Sequence, residues 1–349
     1  MTIRLAIADD DLNYVERIRN VFDGYDDVAL STYTDTDSLQ KALLSGKKFD
    51  VLLFSASVFS DELPLNKVSL AILFLDDDYD VPFGCSGYVK IDKYQRVSSI
   101  YRGILENFAK VSGRTENGYD TSGVEAVAFY SPVGGAGKTI LSLALASKLA
   151  MQGKRVFYIN FEETASEGFY LPQNGQKGLS ELLSCIGEDI NFTMKIQGML
   201  QSHGNNLFYL SHFDSPNDIY DIELDELQEI LEIIKGTGLF DCIIIDMSSS
   251  LDEKNKKIFE LSDKIIVVER ANRVSMEKLK SFYGQTYIIN ENLSKIVRVM
   301  NFDIGERNIV NVDIPLSGSI KMIGETDEVR LLTYLVQSPE INFLMGVVK

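Results

Sequence analysis

The feature of this sequence that most restricts its fold is a glycine-rich loop placed between a predicted strand and a predicted helix. Residues 124–130 have the composition of a β-strand, residues 131–139 read Ser-Pro-Val-Gly-Gly-Ala-Gly-Lys-Thr, and residues 140–151 are typical of a helix. Glycines let the backbone come close to phosphates, so that successive N–H groups and the helix N-terminus point at negative charge. The order of strand, loop and helix therefore predicts a phosphate-binding site in an α/β domain.

Two side chains of the loop and one distant acid complete the predicted site. We expect Lys138 to reach the β- and γ-phosphates of ATP, and the hydroxyl of Thr139 to be a ligand of Mg²⁺. Asp246 ends an apolar strand predicted for residues 241–246, where a carboxylate suits the water shell of the same ion. A strand-end cap is the alternative for Asp246, but its place after an apolar run in a protein with such a loop favours the metal role.

Pro132 stands six residues before Lys138, where the strict phosphate-loop pattern has glycine. The loop thus resembles the deviant form found in the ParA and MinD superfamily, Lys-Gly-Gly-x-Gly-Lys-Thr, and the later strands resemble that superfamily in their order. The resemblance implies that Asn301, at the end of a strand predicted for residues 295–301, reads the adenine edge. The alternative for Asn301 is a turn former. The predicted nucleotide-binding residues are Gly134, Gly135, Ala136, Gly137, Lys138, Thr139, Ile140 and Asn301.

The same resemblance bears on hydrolysis. A strand predicted for residues 155–159 ends at Asn160-Phe161-Glu162, where the superfamily usually has Asp-x-Asp. Glu162 and Asp246 are the candidate catalytic residues, and the alternative for Glu162 is an ordinary acid at the start of a loop. The superfamily's signature lysine, which crosses a dimer interface to the partner's phosphates, corresponds to Val133. Trans-acting cations contribute on the order of 10³ to 10⁵ in phosphoryl transfer, so we expect ATP·Mg²⁺ to bind and to be hydrolysed weakly or not at all.

Residues 1–110 alternate predicted strands with amphipathic helices, which indicates a mostly parallel, doubly wound sheet of the flavodoxin-like type. The first strand ends in Asp9-Asp10-Asp11 and the third ends at Ser55. This stretch resembles a response-regulator receiver domain, in which paired acids bind Mg²⁺ and an aspartate at the position of Ser55 accepts a phosphoryl group. A serine hydroxyl cannot form the acyl phosphate, so we expect phosphorylation to be lost and the domain to serve interactions.

Two roles are open for the acids Asp9, Asp10 and Asp11. They suit a hard cation such as Mg²⁺, or they form a solvated turn in which one carboxylate caps the next helix. The missing phosphoacceptor favours the cap. The lysine that follows the fifth strand of receivers corresponds to Ile91 here, and Lys90 and Lys93 are expected to lie out of register.

Residues 111–123 are rich in Gly, Ser, Thr and Asn and predict a linker. Residues 1–110 then form the receiver-like domain, and residues 124–349 form a second doubly wound domain that binds ATP. A receiver-like domain without its acceptor, joined to a deviant ATPase domain, resembles the TadZ and CpaE proteins. This resemblance implies a polar localisation factor for the Tad secretion machinery, which assembles Flp (type IVb) pili. The implied partners are a second copy, in an ATP-bound dimer, and Tad pilus assembly components.

Composition limits the partners and the compartment. The 349-residue chain has a net charge of −17, which argues against binding to DNA or anionic lipid. No apolar run approaches the length of a membrane span and no signal-peptide pattern begins the chain, so we expect a cytoplasmic protein that reaches membranes through partners. Cys85, Cys185 and Cys242 are widely separated, as expected of reduced structural thiols.

Two other functions are kept as alternatives. An active positioning ATPase of the ParA or MinD type would show turnover stimulated by DNA or membrane, against which the acidic charge and Val133 argue. A two-component output protein would be controlled by phosphorylation, against which Ser55 argues. Residues 341–349 are the candidate membrane anchor, but they are short and poor in cations, and we expect them to pack on the domain.

Overall fold

The structure is a computed structural model that describes residues 2–25, 27–76, 83–112, 123–164, 166–172, 178–188, 190–305, 309–324 and 327–348. The chain forms two compact units, one of residues 1–116 with 188–198 and one of residues 117–187 with 199–349. The predicted linker falls mainly on residues 113–122, which lie outside the described ranges, whereas Val111 and Ser112 end a helix. The domain boundaries at 110 and 124 therefore stay predictions.

The first unit contains a five-stranded sheet in the order β2-β1-β3-β4-β5, and every pair of neighbouring strands is parallel. Its strands and helices are β1 (Ile3–Ala8), α1 (Leu12–Phe22), β2 (Val28–Tyr33), α2 (Thr36–Leu44), β3 (Val51–Ser55), β4 (Leu70–Leu75), β5 (Val89–Asp92) and α3 (Val97–Ser112). The central strand β3 is buried at every position, as expected for a parallel strand covered on both faces. This strand order confirms the predicted flavodoxin-like fold.

The second unit contains an eight-stranded sheet in the order β13-β12-β11-β6-β10-β7-β9-β8, parallel except for the β8–β9 pair. Its strands are β6 (Glu125–Tyr130), β7 (Val156–Phe161), β8 (Gln201–His203), β9 (Leu207–Tyr209), β10 (Cys242–Met247), β11 (Lys264–Arg270), β12 (Ile296–Asp303) and β13 (Leu316–Lys321). The predicted mostly parallel, doubly wound sheet is confirmed.

The helices that follow α3 are α4 (Lys138–Met151), α5 (Leu179–Ser184), α6 (Phe192–Met199), α7 (Pro216–Asp221), α8 (Leu224–Gly236), α9 (Glu253–Leu261), α10 (Arg273–Tyr283), α11 (Thr286–Asn292), α12 (Glu328–Gln337) and α13 (Asn342–Met345). Nine of the fourteen residues of α4 are buried, because its surface is apolar nearly all round. The helix that follows the glycine-rich loop is thus a core element of the second unit. Since neighbouring strands here are parallel, the carboxyl ends of β6, β7, β10, β11 and β12 meet at one edge of the sheet, where that loop lies.

The segment 188–198, which the sequence placed in the ATP-binding domain, belongs to the first unit. Met194 of α6 lies in the same apolar cluster as Ile104 and Phe108 of α3. The N–H of Asn191 donates to the carbonyl of Ala109 at 2.9 Å. The first core is therefore completed by residues that lie far along the chain.

The end of the chain packs on the second unit, as expected. Ile341 and Leu344 are fully buried, and a Cβ placed on Gly318 of β13 would lie 2.7 Å from the ring of Phe343. All three cysteines are buried and free, and their structural role stays a prediction. Within the described ranges, no helix has both the length and the apolar character that crossing a bilayer requires.

Candidate nucleotide-binding site

The loop between β6 and α4 adopts a conformation that depends on glycine. Gly135 has φ +69° and Gly137 has φ +89°, both in the left-handed region that side chains disfavour. Gly137 is also the N-cap of α4, and a Cβ on it would collide with the side-chain nitrogen of Asn301. The first N–H groups of a helix have no partner within the helix, so the N-terminus of α4 is available to an anion.

Lys138 is nearly buried, with 6% of its side chain exposed, and it is held at the loop by two polar groups. Its ammonium group donates to Oγ of Ser249, which follows β10, at 3.0 Å. It also lies 3.3 Å from Oε1 of Glu162, which follows β7. Strands β7 and β10 thus supply the groups that fix the position of this cation.

Asp246 is fully buried in β10, and the two oxygens of its carboxylate differ in their hydrogen bonding. Its Oδ2 accepts a hydrogen bond from the hydroxyl of Tyr158 at 3.1 Å, whereas its buried Oδ1 has no hydrogen-bond partner among the described residues. Burial, with the charge of Glu162 second, raises the pKa of Asp246 to about 7, and the nearby hydroxyl of Thr139 opposes the shift. An unsatisfied carboxylate oxygen beside the Thr139 hydroxyl fits a magnesium ion with its water shell, so Thr139 and Asp246 are the residues that would hold it.

At the end of β7, Asn160 and Glu162 have different tasks. Asn160 is buried, and its amide nitrogen donates to Oε2 of Glu167 at 2.6 Å while its Oδ1 accepts from the N–H of Glu162 at 2.8 Å. The carbonyl of Glu162 lies 2.9 Å from Nε2 of His212. These bonds hold the backbone of Glu162 so that its carboxylate faces Lys138. The structure thus brings Glu162 into the site and gives Asn160 a supporting role.

Asn301 lies against the loop itself. Its amide nitrogen donates to the carbonyl of Ala136 at 2.9 Å, and its side chain is buried. Ile140 is buried in the first turn of α4, and Val133 is buried with 6% exposed. The adenine role of Asn301 stays a prediction, and its observed contact is with the phosphate loop.

The strand that carries Asn301 is fixed by a buried ion pair. Arg298 in β12 donates to both oxygens of Glu269 in β11, at 2.6 and 3.1 Å, and Tyr283 donates to the same carboxylate at 2.6 Å. The guanidinium group also donates to the carbonyls of Ile314 and Val310, at 2.6 and 3.0 Å. This network joins β11, β12 and the segment before β13.

Four contributing residues were not predicted: Tyr158, Glu167, His212 and Ser249. Tyr158 lies within a strand, and the other three lie in connecting segments. No spacing in the sequence links Tyr158, Glu167 or His212 to the loop. Ser249 alone had a signal, because it lies three residues after Asp246 at the same sheet edge.

An ion pair joins the residues that follow β1 and β5 of the first unit. Lys93 Nζ lies 2.9 Å from Oδ2 of Asp9 and 3.7 Å from Oδ2 of Asp76, and both Lys93 and Asp9 are buried. The out-of-register assignment of Lys93 was wrong, because β5 ends at Asp92 and Lys93 follows directly. Burial lowers the pKa of Lys93, but the hydrogen bond to Asp9 and the charge of Asp9 together outweigh burial. The pKa of Lys93 is therefore raised above its usual value.

The other acids of this turn have local partners. Asp11 is the N-cap of α1 and accepts from the N–H of Tyr14 at 3.1 Å, which confirms the predicted cap. Asp10 accepts from the hydroxyl of Ser57 at 2.6 Å, and that hydroxyl lies 2.8 Å from Oγ of Ser55. The position of the missing phosphoacceptor is thus joined to the acid cluster by serine hydroxyls.

Comparison with known families agrees with this division of the chain. The model described as "AAA domain" matches residues 124–299, about half of the chain. The chain belongs to the AAA domain family. The model described as "TadZ-like, receiver domain" matches residues 1–109, so the first domain is a TadZ-like receiver domain. No curated protein sequence gives a match.

ParA and MinD proteins are among the solved structures that are similar to this chain. A plasmid partition protein from Borrelia burgdorferi B31 bound to AMPPNP is 19% identical, with 64% of this chain and 96% of that chain covered and a TM-score of 0.48. A ParA family ATPase from Chlorobium tepidum TLS is 17% identical, with 64% and 93% covered and a TM-score of 0.49. The septum site-determining protein MinD from Pyrococcus horikoshii OT3, complexed with Mg-ADP, is 15% identical, with 65% and 99% covered and a TM-score of 0.48.

Proposed function

We propose that this protein is an ATP-binding localisation and scaffold factor of the Tad (Flp, type IVb) pilus assembly machinery, and that it acts as an ATP-bound dimer. The observation that carries the nucleotide part is the juxtaposition of the phosphate loop with Lys138 and the unsatisfied oxygen of Asp246. The TadZ-like receiver domain joined to an AAA domain supports the assignment to Tad pilus assembly. Placement at a cell pole and contact with Tad components belong to the same proposal.

Binding is favoured over turnover in this proposal. Hydrolysis of ATP needs positive charge that stabilises the transition state at the transferred phosphate. At the position of the signature lysine the chain has Val133, whose side chain is apolar and buried. Lys138 is already paired with Glu162. Both features support an ATPase that is slow or inactive and that uses ATP to set its assembly state.

The TadZ-like receiver domain has no phosphoacceptor role in this proposal. Ser55 occupies the acceptor position, and Lys93 pairs with Asp9 across the crevice. A receiver-like domain that lacks the acceptor and in which Lys93 is paired with Asp9 suits a constant binding surface better than a phosphorylation switch. Incubation with labelled acetyl phosphate should leave the protein unlabelled.

The deciding experiment measures the mass of the purified chain by light scattering with no nucleotide, with ADP and with ATP·Mg²⁺, alongside a phosphate-release assay. The mass should rise toward twice 39.1 kDa with ATP·Mg²⁺ only, with little phosphate released. Lys138→Ala should remain a monomer, and Lys278→Ala, on the exposed face of α10, should behave like the wild type. A monomer under every condition would refute the ATP-bound dimer, and fast multiple turnover would refute the scaffold.

A further inference from the structure

Arg270, the last residue of β11, reaches across to the phosphate loop. Its Nη1 donates to the carbonyl of Gly135 at 3.1 Å. Its guanidinium carbon lies 4.7 Å from the centre of the Phe302 ring, within the range of a cation–π contact. Arg270 therefore lies between the loop and an aromatic side chain that follows Asn301.

The contact has a consequence for the orientation of the loop's N–H groups. In a trans peptide the carbonyl of one residue and the N–H of the next point in opposite directions. A donor that holds the carbonyl of Gly135 therefore turns the N–H of Ala136 to the opposite side. Asn301 does the same for the next peptide, because it holds the carbonyl of Ala136 and so turns the N–H of Gly137.

Phe302 has a backbone conformation that needs a reason. Its φ of +55° is the only positive value among the described non-glycine residues, and bulky side chains adopt that region at a cost. The conformation brings the ring to 3.5 Å from the position that a Cβ of Gly137 would take. The ring thus fills the space between Arg270 and the loop, and it supports the guanidinium group in place.

We propose that Arg270 is a positioning residue for phosphate binding, and that Phe302 holds it there. Arg270 orients the loop N–H groups, and its charge adds positive potential beside a loop whose Val133 and Glu162-paired Lys138 supply little. The inference rests on the proposed nucleotide binding of the AAA domain. The part of the ligand that depends on Arg270 is the polyphosphate, because Arg270 contacts the loop that would face the phosphates.

The test uses Arg270→Ala, Arg270→Gln and Arg270→Lys in the full chain, with Arg273→Ala in the exposed first turn of α10 as the matched control. Affinity for a fluorescent ATP analogue should fall about tenfold or more in Arg270→Ala, since hydrogen bonds to charged groups are stronger than neutral ones. Arg270→Gln and Arg270→Lys, which keep a donor, should recover part of the loss. Competition by adenosine should be unchanged.

A second measurement needs no nucleotide. In hydrogen exchange followed by mass spectrometry, a peptide spanning residues 131–139 should exchange faster in Arg270→Ala than in Arg273→Ala. Phe302→Asn, which tolerates the left-handed backbone but lacks the ring, should show the same change, and Phe302→Tyr should not.

The outcomes separate the two proposals. A wild-type protein that binds no ATP analogue would refute the proposed nucleotide binding, and the exchange of residues 131–139 would still decide the role of Arg270 on the loop. If Arg270→Ala binds the ATP analogue as tightly as the wild type does, the role of Arg270 is overturned and nucleotide binding stands. The same holds if Arg270→Ala loses affinity for ATP and for adenosine equally.

Discussion

The carboxylate of Glu162 is expected to oppose the binding of a polyphosphate at Lys138, and its removal offers a direct test. Its Oε1 lies 3.3 Å from the ammonium group. At an effective dielectric constant of about 20 this pair attracts with about 5 kcal/mol, most of which is offset by the desolvation of both groups. An incoming polyphosphate must displace or face this carboxylate, and it meets a like charge there.

Replacing Glu162 with Gln keeps the shape and removes the charge. We expect Glu162→Gln to bind ATP without magnesium about tenfold more tightly, which corresponds to about 1.4 kcal/mol, a fraction of the screened pair energy. With magnesium present the gain should shrink, because the cation already offsets the negative charge at the site.

The assay is a titration of a fluorescent ATP analogue in EDTA and again in excess Mg²⁺. Glu163→Gln is the matched control, since it removes the same charge from the next residue of the segment. Weaker binding by Glu162→Gln than by wild type in EDTA, or an equal gain in Glu163→Gln, would contradict the opposition between Glu162 and phosphate.

Three further perturbations test the support of the site and the receiver crevice. Arg298→Ala leaves Glu269 buried without its cation, so it should lower the free energy of unfolding by roughly 3–5 kcal/mol in urea titration, and adding Glu269→Gln should recover part of that loss. Lys93→Met leaves Asp9 buried without its cation and should lower the free energy of unfolding by roughly 3–5 kcal/mol. Adding Asp9→Asn to Lys93→Met should restore part of that loss. An unchanged free energy of unfolding would show that the pair contributes nothing. Gly137→Ala should abolish binding of the ATP analogue because of its φ of +89°, while circular dichroism shows the fold retained; an unaltered affinity would refute the required loop conformation.

The parts of the fold that the sequence predicted are those that depend on local pattern. The phosphate loop could be recognised because its strand, glycines and helix are consecutive in the sequence. Asp246 could be recognised because it directly follows a run of apolar strand residues. The assignment of Lys93 failed because the sequence matched the receiver lysine to Ile91, which lies inside β5, whereas the residue that follows the strand is Lys93. The end of β5 at Asp92 decides whether Lys93 reaches Asp9.

The placement of α6 could not be predicted for a different reason. Its apolar residues give it the composition of a core helix, but composition does not specify which core the helix completes. Met194 lies with α3 in the core of the first unit, and its sulfur lies 3.8 Å from the hydroxyl of Ser112, which stands 82 residues earlier in the chain. Contacts of this range are set by tertiary packing, as is the donation from Arg270 to a loop 135 residues away.

The proposed preference for holding a nucleotide over hydrolysing it agrees with the contacts made around the phosphate loop. Catalysis of phosphoryl transfer requires groups that stabilise the transition state more than the ground state. The groups that contact the loop here, Arg270 and Asn301, bind its carbonyls and so fix a conformation that serves the ground state and the transition state alike. Uniform binding of that kind lowers the dissociation constant without accelerating the reaction. Because Val133 carries no charge, Val133→Lys is the substitution that we expect to raise phosphate release most in a phosphate-release assay. If Val133→Lys releases phosphate no faster than the wild type, Glu162 and Asn160, rather than the missing cation, limit the rate.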